Sequence, residues 1–307
     1  MKNYCVLFCL ILAIQSGAQQ FIPLWPEGAK PNDNGHLVKD SIAAERIWKV
    51  GTPGLYAFPV PEAENKGTTV MICPGGGYER LSHIYNGFQM ARWFNSIGIN
   101  AYVLIYRLPH QADLVKRETA AWQDAQRAMR LIRANATAWK IKADKIGVMG
   151  VSAGGHLAST LAIHTEDVSN IQDSLTNVSF RPDFMILLSP VITMGKFAHG
   201  GSKRNLLGAD TLGANLQRFS SELNVTAQTP PTFIVHAYND NSVPVQNSLL
   251  FYNALIEKKV NASLHVFPQG AHAIKLRDNP GSVEYWSQLC EAWMNEMNFT
   301  IPVNARK

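Results

Sequence analysis

From residue 68 to residue 297 short β-prone runs alternate with longer stretches whose apolar residues recur at helical spacing, and this alternation restricts the possible folds more than any other feature of the chain. The run 68–73 ends at Pro74-Gly75-Gly76-Gly77. Residues 86–97 then carry Phe88, Ala91, Trp93 and Phe94 on a helical period and stop at Gly98, and 100–106 is strand-like again. The unit repeats with a helix over 119–136, a strand over 145–149 and a short helix over 153–164. Strands follow at 184–188 and 232–236, then a helix at 245–259, a strand at 263–267 and a closing helix at 283–297. Parallel strands need long crossovers, and helices supply them, so the pattern predicts an α/β fold with a mostly parallel central sheet and helices on both faces. Two earlier strands, at 47–50 and 55–60, precede the alternation. Only 195–229 breaks the rhythm, which suits a loop or small cap over one end of the sheet. With no internal repeat and no second composition regime, residues 19–307 read as one domain.

The chemistry concentrates where strands give way to loops. Gly150-Val151-Ser152-Ala153-Gly154 follows an apolar strand and opens a helix, the setting in which a serine sits on a tight strand-to-helix turn with its hydroxyl exposed. Taken alone, Gly-x-Ser-x-Gly is also an ordinary glycine turn. A serine nucleophile needs a base, and the base needs a carboxylate to hold its tautomer. Asp240 lies just after the strand at 232–236, and His272 lies just after the strand at 263–267. The order Ser, Asp, His is the one that this kind of fold uses. Singly, Asp240 reads as an Asx turn and His272 as a solvated loop histidine, but three concordant placements make Ser152, Asp240 and His272 the candidate triad. The N–H groups of Gly76 and Gly77, with that of Ala153 after the serine, are the candidate oxyanion donors. Tyr78 and Arg80, next in the chain, are candidates for the rim that binds substrate. The remaining histidines, among them His156, His199 and His236, have bland readings as packing or loop residues. No spacing of His, Cys, Asp or Glu suggests a metal, and no cofactor motif is present.

Residues 1–18 stand apart. Lys2 precedes an apolar run over 4–14 and small residues at 16 and 18, the pattern of a signal peptide cleaved after Ala18, which implies secretion. The run is shorter than the roughly 20 apolar residues that cross a bilayer, so stable membrane insertion is not expected. A net charge of +5, spread without a basic run, argues against nucleic acid as a partner. Four cysteines, two of them in the leader, are too few for a disulfide scaffold.

With these residues assembled, the chain resembles the α/β-hydrolase superfamily, and within it the secreted carbohydrate-esterase branch that holds acetyl xylan esterases and feruloyl esterases. The likeness rests on Leu24-Trp25-Pro26-Glu27-Gly28-Ala29, Cys73 to Tyr78, Tyr106-Arg107-Leu108, Asp124 to Ala128, Gly150 to Leu157, Arg181-Pro182-Asp183-Phe184 and Val243 to Ser248. It departs at Asn239-Asp240, where two aspartates are common, and at Ala271-His272-Ala273, where glycines are common. The resemblance implies a serine esterase acting on an acetylated carbohydrate such as xylan, with a feruloyl or aryl esterase as sibling reading. A prolyl-oligopeptidase-like peptidase is a lesser rival, since no propeller-sized N-terminal domain is present. A fold that binds carbohydrate without catalysis is the alternative from another class.

Overall fold

The computed structural model describes residues 19–170, 172–210, 213–272 and 274–301, so the leader expected at 1–18 lies outside the described residues. Strand β1 (Phe21–Pro23) opens the domain, and β2 (Ser41–Ala43) with β3 (Arg46–Lys49) forms a separate two-stranded hairpin. The main sheet continues with β4 (Gly54–Phe58), β5 (Thr69–Cys73), β6 (Asn100–Ile105), β7 (Ile146–Val151), β8 (Met185–Leu188), β9 (Thr232–Ala237) and β10 (Ala262–Phe267). Its order is β1-β4-β6-β5-β7-β8-β9-β10. The pairs from β6 to β10 run parallel, and β4 and β1 complete one edge antiparallel.

The helices are α1 (Gln89–Ser96), α2 (Arg117–Ala134), α3 (Ala153–Ile163), α4 (Gly200–Leu207), α5 (Ala214–Arg218), α6 (Gln246–Glu257) and α7 (Trp286–Glu296). Every residue of β5 to β9 is buried. Because successive side chains in a strand point to opposite faces, such strands require cover on both sides. Helices α2 and α3 pack on each other, while α1 meets α7 through Trp93 and Trp286, whose rings lie 5.3 Å apart.

One element departs from the sequence expectation, and two are defined further. The helix at 86–97 begins earlier, as a π-helical turn over His83–Phe88, and there Gly87 lies so close to Val103 that a Cβ would fall 2.7 Å from its Cγ1. The run at 47–50 is the expected strand, β3, and it pairs with β2 in the hairpin outside the main sheet. Within 195–229, the segment expected as a loop or small cap, lie α4, α5 and a 3-10 turn over Ser221–Leu223.

Several of the segments that carried the resemblance converge on one buried cluster. Arg107 and Asp124 form an ion pair in which both side chains are wholly shielded from solvent, with Arg107 Nη2 2.9 Å from Asp124 Oδ1. The same carboxylate accepts from Trp25 Nε1 (2.8 Å) and from the Arg107 backbone N–H (2.8 Å), and Arg127 Nε donates to the Leu24 carbonyl (2.8 Å). Removing one partner of such a pair strands a buried charge, at about 3–5 kcal/mol. Asp183 plays a similar part, accepting from Arg133 and from the Ile146 N–H at the start of β7. Cys73 and Cys290 are free and buried, and burial pushes both thiols well above their ordinary range.

Candidate active site

Strand β7 lies near the middle of the sheet and ends one residue before Ser152, which joins it to α3 with φ 56° and ψ −122°. A non-glycine residue rarely holds such a positive φ, so the strain sits on the serine itself. The Ser152 N–H donates to the Leu188 carbonyl and its carbonyl accepts from Val191, both at 3.0 Å, which pins the turn to the residues leaving β8. The flanking glycines serve close approach rather than unusual dihedrals: a Cβ on Gly150 would fall 2.3 Å from the Gly154 carbonyl oxygen, and one on Gly154 would fall 2.0 Å from that of Cys73.

Strands β9 and β10 deliver the two partners beside this turn. His272 Nε2 lies 2.8 Å from Ser152 Oγ, and His272 Nδ1 lies 2.6 Å from Asp240 Oδ2. The other carboxylate oxygen, Oδ1, accepts the backbone N–H groups of Ser242 (2.9 Å) and Val243 (2.8 Å). Burial alone would raise the Asp240 pKa, but hydrogen bonds from His236, His272 and the Val243 N–H outweigh it and hold the group well below the usual carboxylate range. Asn239 Oδ1 accepts from the Ala271 N–H at 2.8 Å and so ties the acid loop to the histidine loop. Ala271 takes φ 48°, a conformation that a glycine would hold at lower cost; Ala273 lies outside the described residues.

The glycine loop faces the same cleft. Tyr106 Oη donates to the Pro74 carbonyl (2.7 Å), the Ser82 N–H to that of Gly75 (2.8 Å) and Asn205 Nδ2 to that of Gly77 (2.8 Å). The carbonyls are thereby engaged, while among the described residues no protein acceptor takes the N–H of Gly76, Gly77 or Ala153. Gly76 and Gly77 have φ 142° and 68°, and a Cβ on Gly76 would collide with the Arg80 carbonyl at 2.0 Å. Together with Ser152 and His272 they line a cleft of about 630 Å³. A serine hydroxyl bonded to an imidazole that is oriented by a carboxylate, beside unpaired N–H groups, is an arrangement able to attack an acyl carbon and stabilise the resulting oxyanion.

Residues 58–255 match the model of the family described as BD-FAE. The chain belongs to that family. The BD-FAE match takes in the glycine loop, Ser152 and Asp240, and ends before β10 and His272. The chain is also 38% identical over 227 residues to endo-1,4-beta-xylanase B of Butyrivibrio fibrisolvens, covering 74% of this chain and 35% of that protein. It is 33% identical over 211 residues to an acetylxylan esterase of Xylanibacter ruminicola, covering 67% of this chain and 41% of that protein. The matches thus span well under half the length of these curated relatives. Among solved structures, an acetyl ester-xyloside bifunctional hydrolase from Caldicellulosiruptor lactoaceticus superposes with a TM-score of 0.78 at 36% identity, covering 92% of this chain and 97% of that one.

In this BD-FAE member Tyr78 does not reach the rim, contrary to the sequence expectation. With φ 58° it turns beneath the glycine loop, is 1% exposed, and places its hydroxyl 2.8 Å from His156 Nδ1. Burial, reinforced by Tyr106 and Cys73, lifts the phenol far above its ordinary range, so it stays a neutral donor. His156 Nε2 lies 2.7 Å from the Phe219 carbonyl, which can only accept, so Nε2 carries the ring proton and Nδ1 accepts from Tyr78. Tyr78 therefore braces the glycine loop against α3 and the end of the cap. Arg80 does line the cleft, with its guanidinium 5.1 Å from the Trp48 ring centroid.

Two functional-site residues escaped the sequence reading. His236, wholly buried on β9, places Nε2 3.3 Å from Asp240 Oδ2 and 2.9 Å from the Val243 carbonyl, with Nδ1 2.7 Å from Ser248 Oγ. Its position four residues before the acid was the available signal. His199, at the start of α4, lines the cleft beside Gly77 and Asn205. No sequence spacing signals it, because the cap brings it there.

Proposed function

We propose that the protein is a serine carboxylic ester hydrolase that removes acetyl groups from xylan-type polysaccharides or their oligosaccharides. The observation that carries the reading is His272, bonded on one side to Ser152 Oγ and on the other to Asp240 Oδ2, in the cleft beside Gly76 and Gly77. Ser152 Oγ attacks the acyl carbon while His272 Nε2 takes its proton, and Asp240 stabilises the imidazolium. The oxyanion lies among the N–H groups of Gly76, Gly77 and Ala153, each donor worth about 3–4 kcal/mol in the transition state. His272 passes the proton to the departing sugar oxygen, leaving an acyl-enzyme on Ser152. Water, deprotonated by His272, then attacks that ester, and acetic acid leaves as Oγ regains its proton.

The acetyl and xylan parts of the reading are supported by the names of the relatives from Xylanibacter ruminicola and Caldicellulosiruptor lactoaceticus. Glycoside cleavage, which the xylanase relative is named for, generally uses two carboxyl groups flanking the bond, and among the described residues Glu79 is the one carboxyl residue lining this cleft. Export, which the leader pattern at 1–18 supports, would bring the enzyme to such polymers. The test is release of acetate from acetylated xylan, of ferulate from feruloylated arabinoxylan, and hydrolysis of a small aryl acetate, by the protein beside its Ser152→Ala variant. Acetate release from xylan that vanishes in the variant is the expected result. Ferulate alone would transfer the reading to a feruloyl esterase, and equal behaviour of the two proteins on every ester would refute the Ser152 mechanism.

A further inference from the structure

Among the described residues that line the cleft, His199 is the one imidazole besides His272, and its hydrogen bonds determine what it can offer there. It is the N-terminal cap of α4: its Nδ1 accepts the Ser202 backbone N–H at 3.1 Å and lies 2.8 Å from Ser202 Oγ. A nitrogen that accepts a backbone N–H carries no proton, so the neutral ring is protonated at Nε2. No protein acceptor takes that Nε2–H among the described residues, whereas Nδ1 is engaged. The ring stands against the glycine loop, with Cε1 3.8 Å from where a Cβ on Gly77 would lie. Burial, with the nearby His272 adding to it, lowers the His199 pKa, so the ring remains an uncharged donor while His272 cycles through its imidazolium.

We propose that His199 is a substrate-binding residue that donates its Nε2–H to a hydroxyl or ring oxygen of the sugar bearing the ester, and so helps select carbohydrate esters over simple ones. A neutral donor suits a neutral sugar oxygen and adds no charge beside the imidazolium. Its location in the cap, outside the triad and its loops, places the discrimination on a segment apart from the chemistry. The inference rests on the acetyl-carbohydrate reading given above.

The experiment compares His199→Asn and His199→Ser with the unaltered protein. Both replacements keep a side-chain oxygen able to cap α4, so one folded variant is enough, and the thermal midpoint verifies that the cap is retained. The substrates are an acetylated xylo-oligosaccharide and a small aryl acetate, and xylotriose is added as a competitor in the aryl assay. Losing one neutral hydrogen bond should raise KM for the sugar ester about tenfold with a smaller change in kcat, and should weaken xylotriose inhibition by a similar factor. The ratio of kcat/KM for sugar ester over aryl acetate should therefore fall. An equal proportional loss on both esters, or no loss on either, would overturn the assignment. If the unaltered protein hydrolyses the aryl acetate and releases nothing from the sugar ester, the carbohydrate reading itself fails, and that outcome is visible before any variant is made.

Discussion

Replacing His156 by glutamine isolates the contact that braces the glycine loop against α3. The imidazole is 1% exposed, donates from Nε2 to Phe219 and accepts at Nδ1 from Tyr78. A second proton has to enter at Nδ1, where the Tyr78 hydroxyl already points, and burial leaves the cation without water. The pKa accordingly falls from 6.5 to about 4, with burial as the main cause and the Phe219 carbonyl opposing it. Because the folded value lies below the unfolded one, the unfolded chain takes up the proton first. Stability is therefore complete above the unfolded value and is lost as pH falls toward the folded one, by about 3 kcal/mol in all and about 2 kcal/mol by about pH 5. Glutamine reproduces both hydrogen bonds, with its carbonyl oxygen facing Tyr78 and its amide facing Phe219, but takes up no proton. Urea unfolding at about pH 7.5 and about pH 5 should show the unaltered protein losing about 2 kcal/mol more than H156Q over the interval. His83, His164, His199 and His265 also titrate low, but they are common to both proteins and cancel in the difference. Parallel losses in the two proteins would refute the reasoning.

Asp240→Asn should lower kcat by about 10³–10⁴, roughly 4–5.5 kcal/mol, because an amide that still accepts from Ser242 and Val243 turns its NH₂ toward His272 and selects the wrong tautomer. Steady-state kinetics on an aryl acetate reads this, and a loss below tenfold would contradict the orienting role. Tyr78→Phe should cost about 1–3 kcal/mol of stability, since it leaves His156 Nδ1 buried without a donor. Denaturant titration measures that cost, while a rise in KM specific to sugar esters would return Tyr78 to the substrate rim. Gly154→Ala forces a Cβ to within 2.0 Å of the Cys73 carbonyl oxygen, a backbone atom of the neighbouring strand. We expect a loss of about 1–3 kcal/mol or more in a urea titration together with a fall in kcat, and a variant as stable and active as the parent would disprove the close approach.

The acid end of the pH range follows from Asp240. Its folded pKa is depressed, so the stability it contributes is complete above its ordinary value of 3.8 and disappears as pH falls through the lower folded value. The two imidazoles and two N–H groups around one carboxylate thus hold the acid ionised below its ordinary range.

Much of this was written in the chain itself. The alternation of strand and helix dictated a mostly parallel, doubly covered sheet, because strands buried on both faces have no other economical connection. The same pattern put Ser152, Asp240 and His272 after three of its strands, and the parallel sheet then carries the C-terminal ends of β7, β9 and β10 to one end of the sheet. What local pattern does not encode is which surface a side chain meets. Tyr78 looked like a rim residue because it follows the glycine loop, yet a left-handed backbone and the waiting Nδ1 of His156, 78 positions later, turn it inward. The cap, whose sequence has no apolar period, folds as short helices held by tertiary contacts, among them Asn247 Oδ1 accepting from Ile192 and Thr193 at its entrance. His199 acquires its place across the cleft through that packing, while His236 is set behind the acid by β9 and its contacts with Val243 and Ser248. Periodicity and turn chemistry act over a few residues and can be read along the chain; the partner of a buried polar group is chosen by the whole fold, and only the tertiary structure decides it.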